Sequence, residues 1–315
     1  MGAHIIRRDE ALRRGAADSQ LQRLCHKGSW YRLRPGVYTP REQFAALDAR
    51  ERHIILATAA LHASSPDAVL SHQSAAALHG LDLWNTPMKA VHLTRNRRSG
   101  GRRTGHRHVH SAALDSDEVT TIDGLRVTTV ARTVVDLARS LPFEQAVVAG
   151  DHALHTKRCT FRDLEASRPQ SARRKVARVS SQLDGRSESV GESRSRVLMI
   201  REQLPIPDCQ ANLYAPDGVH LGRVDFLFEE FGVVGEFDGR IKYGRLVPDG
   251  QVPADVLWAE KTREDAIRAA GWQVVRWGWN ELSTPHVVVQ RIRDAFERAR
   301  LSPPPRGRVE HTPQP

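Results

Sequence analysis

The sequence has no apolar run long enough to cross a membrane as a helix. Its longest, residues 54–61, falls far short of the roughly 18 residues such a helix needs. Cysteine is scarce. Cys25, Cys159 and Cys209 are widely spaced and odd in number, which argues against a disulfide framework and against a zinc knuckle. Lysine occurs only at positions 27, 89, 157, 175, 242 and 261. The opening M-G-A-H-I-I-R-R has no apolar core for a secretory signal and no Ser or Thr at position 6 for myristoylation. A cytoplasmic location with no membrane partner is the resulting expectation.

The chain is 315 residues long, enough for about two domains. Hydrophobic residues make up 40% and charged residues 27%, a globular composition. The net charge of +10 is unevenly spread: residues 1–186 carry +12 and residues 187–315 carry −2. A polycationic half suits a phosphate backbone, with binding that weakens as salt rises. Codon usage in a GC-rich genome also favours arginine, so a merely soluble basic protein is the competing reading.

Composition shifts divide the chain into five segments. Residues 1–43 read as a winged-helix-like DNA-binding segment and 44–167 as a mixed helical and strand region. Residues 168–186, basic and Ser-rich, read as a linker. Residues 187–300 form a second domain, and the Pro-rich 301–315 reads as a disordered tail. The expected class is α/β, or α+β taken overall.

In the first segment, residues 8–14 predict a short helix ending at Gly15. Asp18 or Ser19 is placed to cap a second helix running to Lys27, and residues 30–38 alternate like a hairpin turning at Pro35-Gly36. Gln20, Arg23 and Lys27 recur at three- and four-residue steps and so share one face of the second helix. Gln and Arg suit base edges and Lys suits phosphate. Arg32 and Arg34 would be added by the hairpin. A generic solvated helix face is the alternative. Further on, Ser71 is placed to cap a helix over 72–79, residues 95–110 hold six arginines and no acid, and Thr129 starts an amphipathic helix. His72, His79 and Asp136 are compatible with catalysis, but helix capping and ion pairing explain them equally well.

Three stretches, R-L-R-P-G-V-Y (32–38), L-S-H-Q-S-A-A-A-L-H-G-L (70–81) and G-L-R-V-T-T-V-A-R-T-V-V-D-L (124–137), resemble the AbiEi family of antitoxin-like winged-helix proteins. The resemblance spans about half the chain. It implies DNA binding, repression of its own promoter and a cognate toxin as partner, and it carries no catalytic residue.

In the second domain the predicted order is helix (187–203), strands (209–214, 221–228, 232–237), helix (254–270) and strand (272–277). Asp225 and Glu236 each sit in an apolar strand, where a charge is costly unless compensated. Mg²⁺ would compensate it, since that ion takes one or two carboxylates plus water and phosphate. Glu236 and Asp238 are two apart and share a sheet face. Lys242 and Lys261 lie close by in sequence and suit the charge that builds on phosphate.

The αβββαβ order with G-R-V-D-F, E-F-D-G-R-I-K-Y and E-K-T-R-E-D-A-I-R-A-A-G-W-Q-V-V-R-W resembles the PD-(D/E)XK, restriction-endonuclease-like superfamily, most closely its very-short-patch-repair branch. The resemblance implies Asp225 and Glu236 as ligands of Mg²⁺ (or Mn²⁺) and Glu192 as an accessory acid, with Glu188 its competitor. Asp238 stands where that superfamily has its lysine, and Lys261 is the expected replacement ahead of Lys242. Ion pairs to Arg223, Arg240 and Arg263 are the alternative use of these acids. The leading expectation is a DNA-binding Mg²⁺-dependent endonuclease. The alternatives are a non-catalytic transcriptional regulator or antitoxin with a degenerate nuclease fold, and an RNA-directed nuclease. An arginine lodged at the carboxylates would favour the regulator.

Overall fold

The computed structural model describes residues 5–167, 173–239 and 253–315. It divides into two compact units, residues 1–149 with 158–181, and residues 150–157 with 182–315. Both mix helices with sheet, so the class is α+β.

The first unit opens with β1 (Ile6–Arg7), α1 (Arg8–Arg13), α2 (Asp18–His26) and a hairpin of β2 (Trp30–Arg34) and β3 (Val37–Pro40). The strands form an antiparallel sheet in the order β1-β3-β2. Strand, two helices and hairpin is a winged-helix order. Gly36 turns the hairpin at φ 76°, a conformation that costs glycine little. Leu21 of α2 packs on Ala11 and Tyr38. Neither Asp18 nor Ser19 caps α2; the residue before the helix is Ala17, which makes no side-chain bond. Asp18 instead accepts from Arg8 Nε at 2.7 Å, which ties α2 to α1.

The chain continues with α3 (Arg41–Ala46), α4 (Ala49–His62), β4 (Ala68–Leu70), α5 (His72–Leu78), β5 (Val91–Asn96), β6 (Arg102–Arg103), β7 (Arg107–Ala112), β8 (Val119–Ile122), β9 (Leu125–Thr128), α6 (Val130–Ser140), α7 (Phe143–His155, whose residues from 150 on count with the second unit), α8 (Phe161–Ala166) and α9 (Arg173–Ser180). A six-stranded sheet runs β6-β7-β5-β4-β9-β8, parallel at β5/β7 and β4/β9. Ala57, Leu70, Ala75, Leu93 and Val127 form its core with α4 and α5. Thr129 caps α6 as expected, accepting from the Arg132 amide. Ser71 precedes α5, but its hydroxyl accepts from Thr94 Oγ1 at 2.7 Å instead of capping the helix. The stretch read as a linker holds α9. Val176 and Val179, three apart, share a face that is buried, and α9 packs against α6.

The second unit contains α10 (Val190–Arg201), β10 (Asp208–Tyr214), β11 (His220–Phe228), β12 (Val233–Asp238), α11 (Pro253–Ala269), β13 (Gln273–Gly278), α12 (Trp279–Leu282), α13 (Pro285–Arg300) and β14 (Arg308–Glu310). The expected αβββαβ order is present. The sheet order is β13-β12-β11-β10-β14. β12 and β13 run parallel, and α11 supplies the long crossover that a parallel pair requires. One apolar cluster gathers Phe226, Val233, Trp277, Val288 and Ile292, and another gathers Val224, Val234, Ile267 and Trp272. The segment read as a disordered tail instead supplies β14, antiparallel to β10 with Leu213 opposite Val309. Gly271, at φ 99°, has no side chain to block the approach of Pro305, so the Pro-rich turn can lie close.

Candidate functional site

On α2 the helical repeat buries Leu21 at 1% exposure and leaves Gln20, Arg23 and Lys27 on the open side. Arg32 on the hairpin is also exposed. Arg34 is not available to a ligand in the same way. Its Nη1 donates to the carbonyls of Ala59 and Ala60 at 3.2 and 3.3 Å, past a register irregularity between Arg32 and Arg34 that lets Arg34 turn toward α4. Burial, and then the nearby Arg107 charge, hold the Arg34 guanidinium below its usual range. Of the six arginines in 95–110, Arg95 is anchored to Asp67 and Ser65, its Nη2 lying 2.6 Å from Asp67 Oδ1. Arg97, Arg98, Arg102 and Arg103 are exposed on the arm between β5 and β7.

In the second unit β11 and β12 bring the expected acids together. The ladder pairs Phe226 with Gly235, and continuing that register sets Asp225 opposite Glu236. Past the last ladder pair, Asp225 Oδ2 accepts the Phe237 N–H at 2.8 Å. Glu192 lies on α10, whose N-cap is Ser189. One Glu192 oxygen accepts from the Ser189 hydroxyl at 2.6 Å; the other accepts from the Glu188 amide and the Gln210 side chain, each at 2.9 Å. Glu188 itself faces Arg223 at 2.8 Å. Burial pushes Asp225 up to about 7, helped by the charges of Glu192 and Glu236. Burial also raises Glu192.

Sequence reasoning missed Gln210. It is buried in β10 at φ 59°, outside the ladder that pairs Cys209 with Phe226 and Ala211 with Val224. The register is the same on either side of it, so this left-handed residue is a local kink with no inserted residue. Here it aims the amide at Glu192 and Asp225. A single glutamine among polar strand residues gives no sequence signal for this.

The cations at Glu236 are arginines. Arg263 Nη2 donates to Oε1 at 2.8 Å, and Arg276 Nη2 lies 2.6 Å from Oε2. Arg276 also meets Glu260 at 2.7 Å and Glu264 at 3.0 Å. Lys261 does not take the place expected of it. Glu260, Arg263 and Glu264 sit three and four apart on the side of α11 facing the sheet, and one residue on from Glu260 the helix turns Lys261 out to solvent. Lys242 and Arg240 lie outside the described residues. Asp238 ends β12, two residues beyond Glu236. With both Glu236 oxygens held by guanidiniums, this donor set does not fit Mg²⁺ or Mn²⁺ as it stands.

Among the described residues, three ligand-type side chains do converge, in the first unit. Donor atoms of His72, His92 and His110 lie within 4.8 Å of one another. His79 is separate from them and bonds the Thr128 carbonyl through Nε2 at 2.7 Å. Asp136 is buried, with Oδ1 3.2 Å from Arg132 Nε. Burial lowers all three imidazoles of the group, His72 well below its usual range, His92 to about 4 and His110 to about 3.

Residues 2–41 match the family described as "Transcriptional regulator, AbiEi antitoxin", and residues 67–185 match "AbiEi antitoxin C-terminal domain". Two uncharacterized proteins from two strains of Mycobacterium tuberculosis, MT2308 and Rv2248, are each 30% identical over 238 residues, which cover 73% of this chain and 81% of theirs. The chain belongs to one family with these proteins, and AbiEi antitoxin domains are present in it. The crystal structure of RV2827C protein from the same species is 16% identical, covers 56% of this chain and 71% of its own, and superposes with a TM-score of 0.41. The family matches end at residue 185, so the αβββαβ core lies beyond them. No helix among the described residues is long and apolar enough to cross a membrane.

Proposed function

We propose that this protein is a DNA-binding transcriptional regulator of the antitoxin type, working with a cognate toxin, and that its second unit keeps a nuclease-like fold as a scaffold. The observation that carries the reading is the open α2 face, where Gln20, Arg23 and Lys27 are exposed beside the hairpin. Duplex DNA is the partner that such a face fits: a short helix presents Gln and Arg to base edges in the major groove while Lys and the hairpin Arg32 meet phosphate. The exposed arginines of the β5–β7 arm would add sequence-independent phosphate contacts.

The test is binding of the full chain to duplex DNA from its own promoter, followed by fluorescence anisotropy across a salt series. Steeply weakening affinity with rising salt, and preference for the promoter over scrambled duplex, support the reading. Flat salt dependence overturns it. The endonuclease reading needs Arg263 and Arg276 to leave Glu236 before Mg²⁺ or Mn²⁺ could enter beside Asp225. Metal-dependent plasmid nicking that is lost in Asp225→Asn would restore it.

A further inference from the structure

We propose that His72, His92 and His110 form a binding site for one borderline divalent cation of the Zn²⁺ class. Nothing in the regulator reading requires this site, and it stands or falls on its own.

The site is built from three elements. His108 and His110 alternate along β7 and so point to one face of the sheet. β7 pairs in parallel with β5, where His92 is opposite His108 and Thr94 is opposite His110. His72 begins α5 directly over these strands, and its ring stacks on that of His110 with centroids 3.7 Å apart. His92 Nδ1 and His110 Nε2 are 3.0 Å apart. Two nitrogens on one tetrahedral Zn²⁺, each about 2.0–2.1 Å from the ion, are separated by roughly 3.3 Å. The observed spacing is therefore close to that of two ligands on a shared ion.

Two further observations point to a cation. His72 has φ 52°, a left-handed conformation that a histidine at the start of a helix does not need for helix formation. Such strain persists only where surrounding structure holds it, and here it turns the imidazole toward the other two. Asp136, 1% exposed, keeps Oδ2 without a hydrogen-bond partner, 3.8 Å from His72 Nδ1. A buried carboxylate oxygen left unmatched is expensive, and a nearby ion on His72 would relieve it. The neighbouring cations Arg132 and Arg139 are matched by Asp136 and Glu118. His72 and His92 are buried while His110 is partly exposed, which leaves a path for entry. Imidazole donors select Zn²⁺, Ni²⁺, Cu²⁺ or Co²⁺ over Mg²⁺. An ion here would clamp together β5 and β7, the two strands that carry the arginine-rich arm.

The test uses the full chain, stripped with chelator and titrated with Co²⁺ as a visible probe. One equivalent per chain should develop ligand-field absorption, and Zn²⁺ should displace it. Zn²⁺ in hundredfold excess over its dissociation constant should raise the melting temperature by roughly 5 °C. His92→Gln and His110→Gln, which keep size and polarity, should lose both signals, while His220→Gln, an exposed residue of the second unit, should keep them. X-ray absorption of the Zn²⁺-loaded wild type should show imidazole nitrogens in the first shell, a readout that needs no variant to fold. Absence of a stoichiometric Co²⁺ signal, an undiminished signal in both variants, or a shell of oxygens alone would overturn the proposal.

Discussion

Nη2 of Arg276 lies 2.6 Å from Oε2 of Glu236, so the cation at this carboxylate is a guanidinium fixed to the sheet. Arg276 is on β13 and Glu236 on β12, and the parallel register sets the two residues directly opposite each other. The pairing is thus a property of the sheet. It also reaches Glu260 and Glu264 on α11, which makes Arg276 the hub of an ion-pair network.

Replacing that hub is expected to be costly. Arg276→Met leaves Glu236, at 8% exposure, with Arg263 as its ion-pair partner among the described residues, and removes the partner of two α11 acids. A loss of about 2–4 kcal/mol is expected, because breaking a partly buried ion network strands its charges. Urea unfolding of the full chain, read at the midpoint of the second unit, checks this. An unchanged midpoint would show that the network contributes no stability.

Asp225 gives stability a pH dependence of predictable sign. Its carboxyl is raised from 3.8 to about 7 by burial, and then by Glu192 and Glu236. The folded state therefore holds a proton that the unfolded state has released between about pH 4 and pH 7. The favourable contribution is complete below pH 4 and is lost as pH rises through 7. Asp225→Asn keeps an acceptor for the Phe237 amide and removes the charge. It should stabilise the protein by about 1–2 kcal/mol at pH 8 and by almost nothing at pH 4, with solvent screening at this half-buried site limiting the gain. Denaturation midpoints at the two pH values measure it. Destabilisation at pH 8 would contradict the assignment.

Burial also raises Asp151 to about 7, but replacing it should destabilise, because its carboxyl has partners that Asp225 lacks. Asp151 is fully buried, with Oδ2 2.9 Å from Arg196 Nη1 and Oδ1 accepting the Asp184 amide at 2.8 Å. Asp151→Ala leaves a guanidinium and an amide buried without this partner. A loss of about 3–5 kcal/mol is expected, large enough to cut soluble yield. Thermal melting of the variant decides it.

On α2, Arg23 and Lys27 should separate by kind of contact. Arg23→Ala is expected to cost about 1–3 kcal/mol and to relax preference at one base position. Lys27→Ala should weaken all duplexes alike and lower the slope of log affinity against log salt by about 1. Anisotropy titrations on promoter and scrambled duplexes distinguish the two outcomes. Equal effects on both measures would mean that α2 does not enter a groove.

The sequence by itself determined the local elements of both units. Alternation at 30–38 and 221–228, helical stretches at 130–139 and 254–270, and turn residues at Gly36, Gly80 and Gly271 are near-neighbour signals, and they marked the hairpin and the αβββαβ order. The open face of α2 was equally legible, because Gln20, Arg23 and Lys27 follow the helix repeat while Leu21 breaks from it. The charge split between the two halves was also plain from residue counts.

Only the tertiary structure decided which charges meet. Which cations reach Glu236 depends on the β12–β13 register and on the rotation of α11, which turns Arg263 inward and Lys261 outward. The tail at 308–310 carries a weak strand signal and becomes a strand because the edge of β10 offers it unpaired backbone groups. His72, His92 and His110 span 39 positions of the sequence, and their convergence arises from a parallel pairing of β5 with β7 under the start of α5. Non-local contacts of this kind are set by how elements pack, and no local spacing in the chain encodes them.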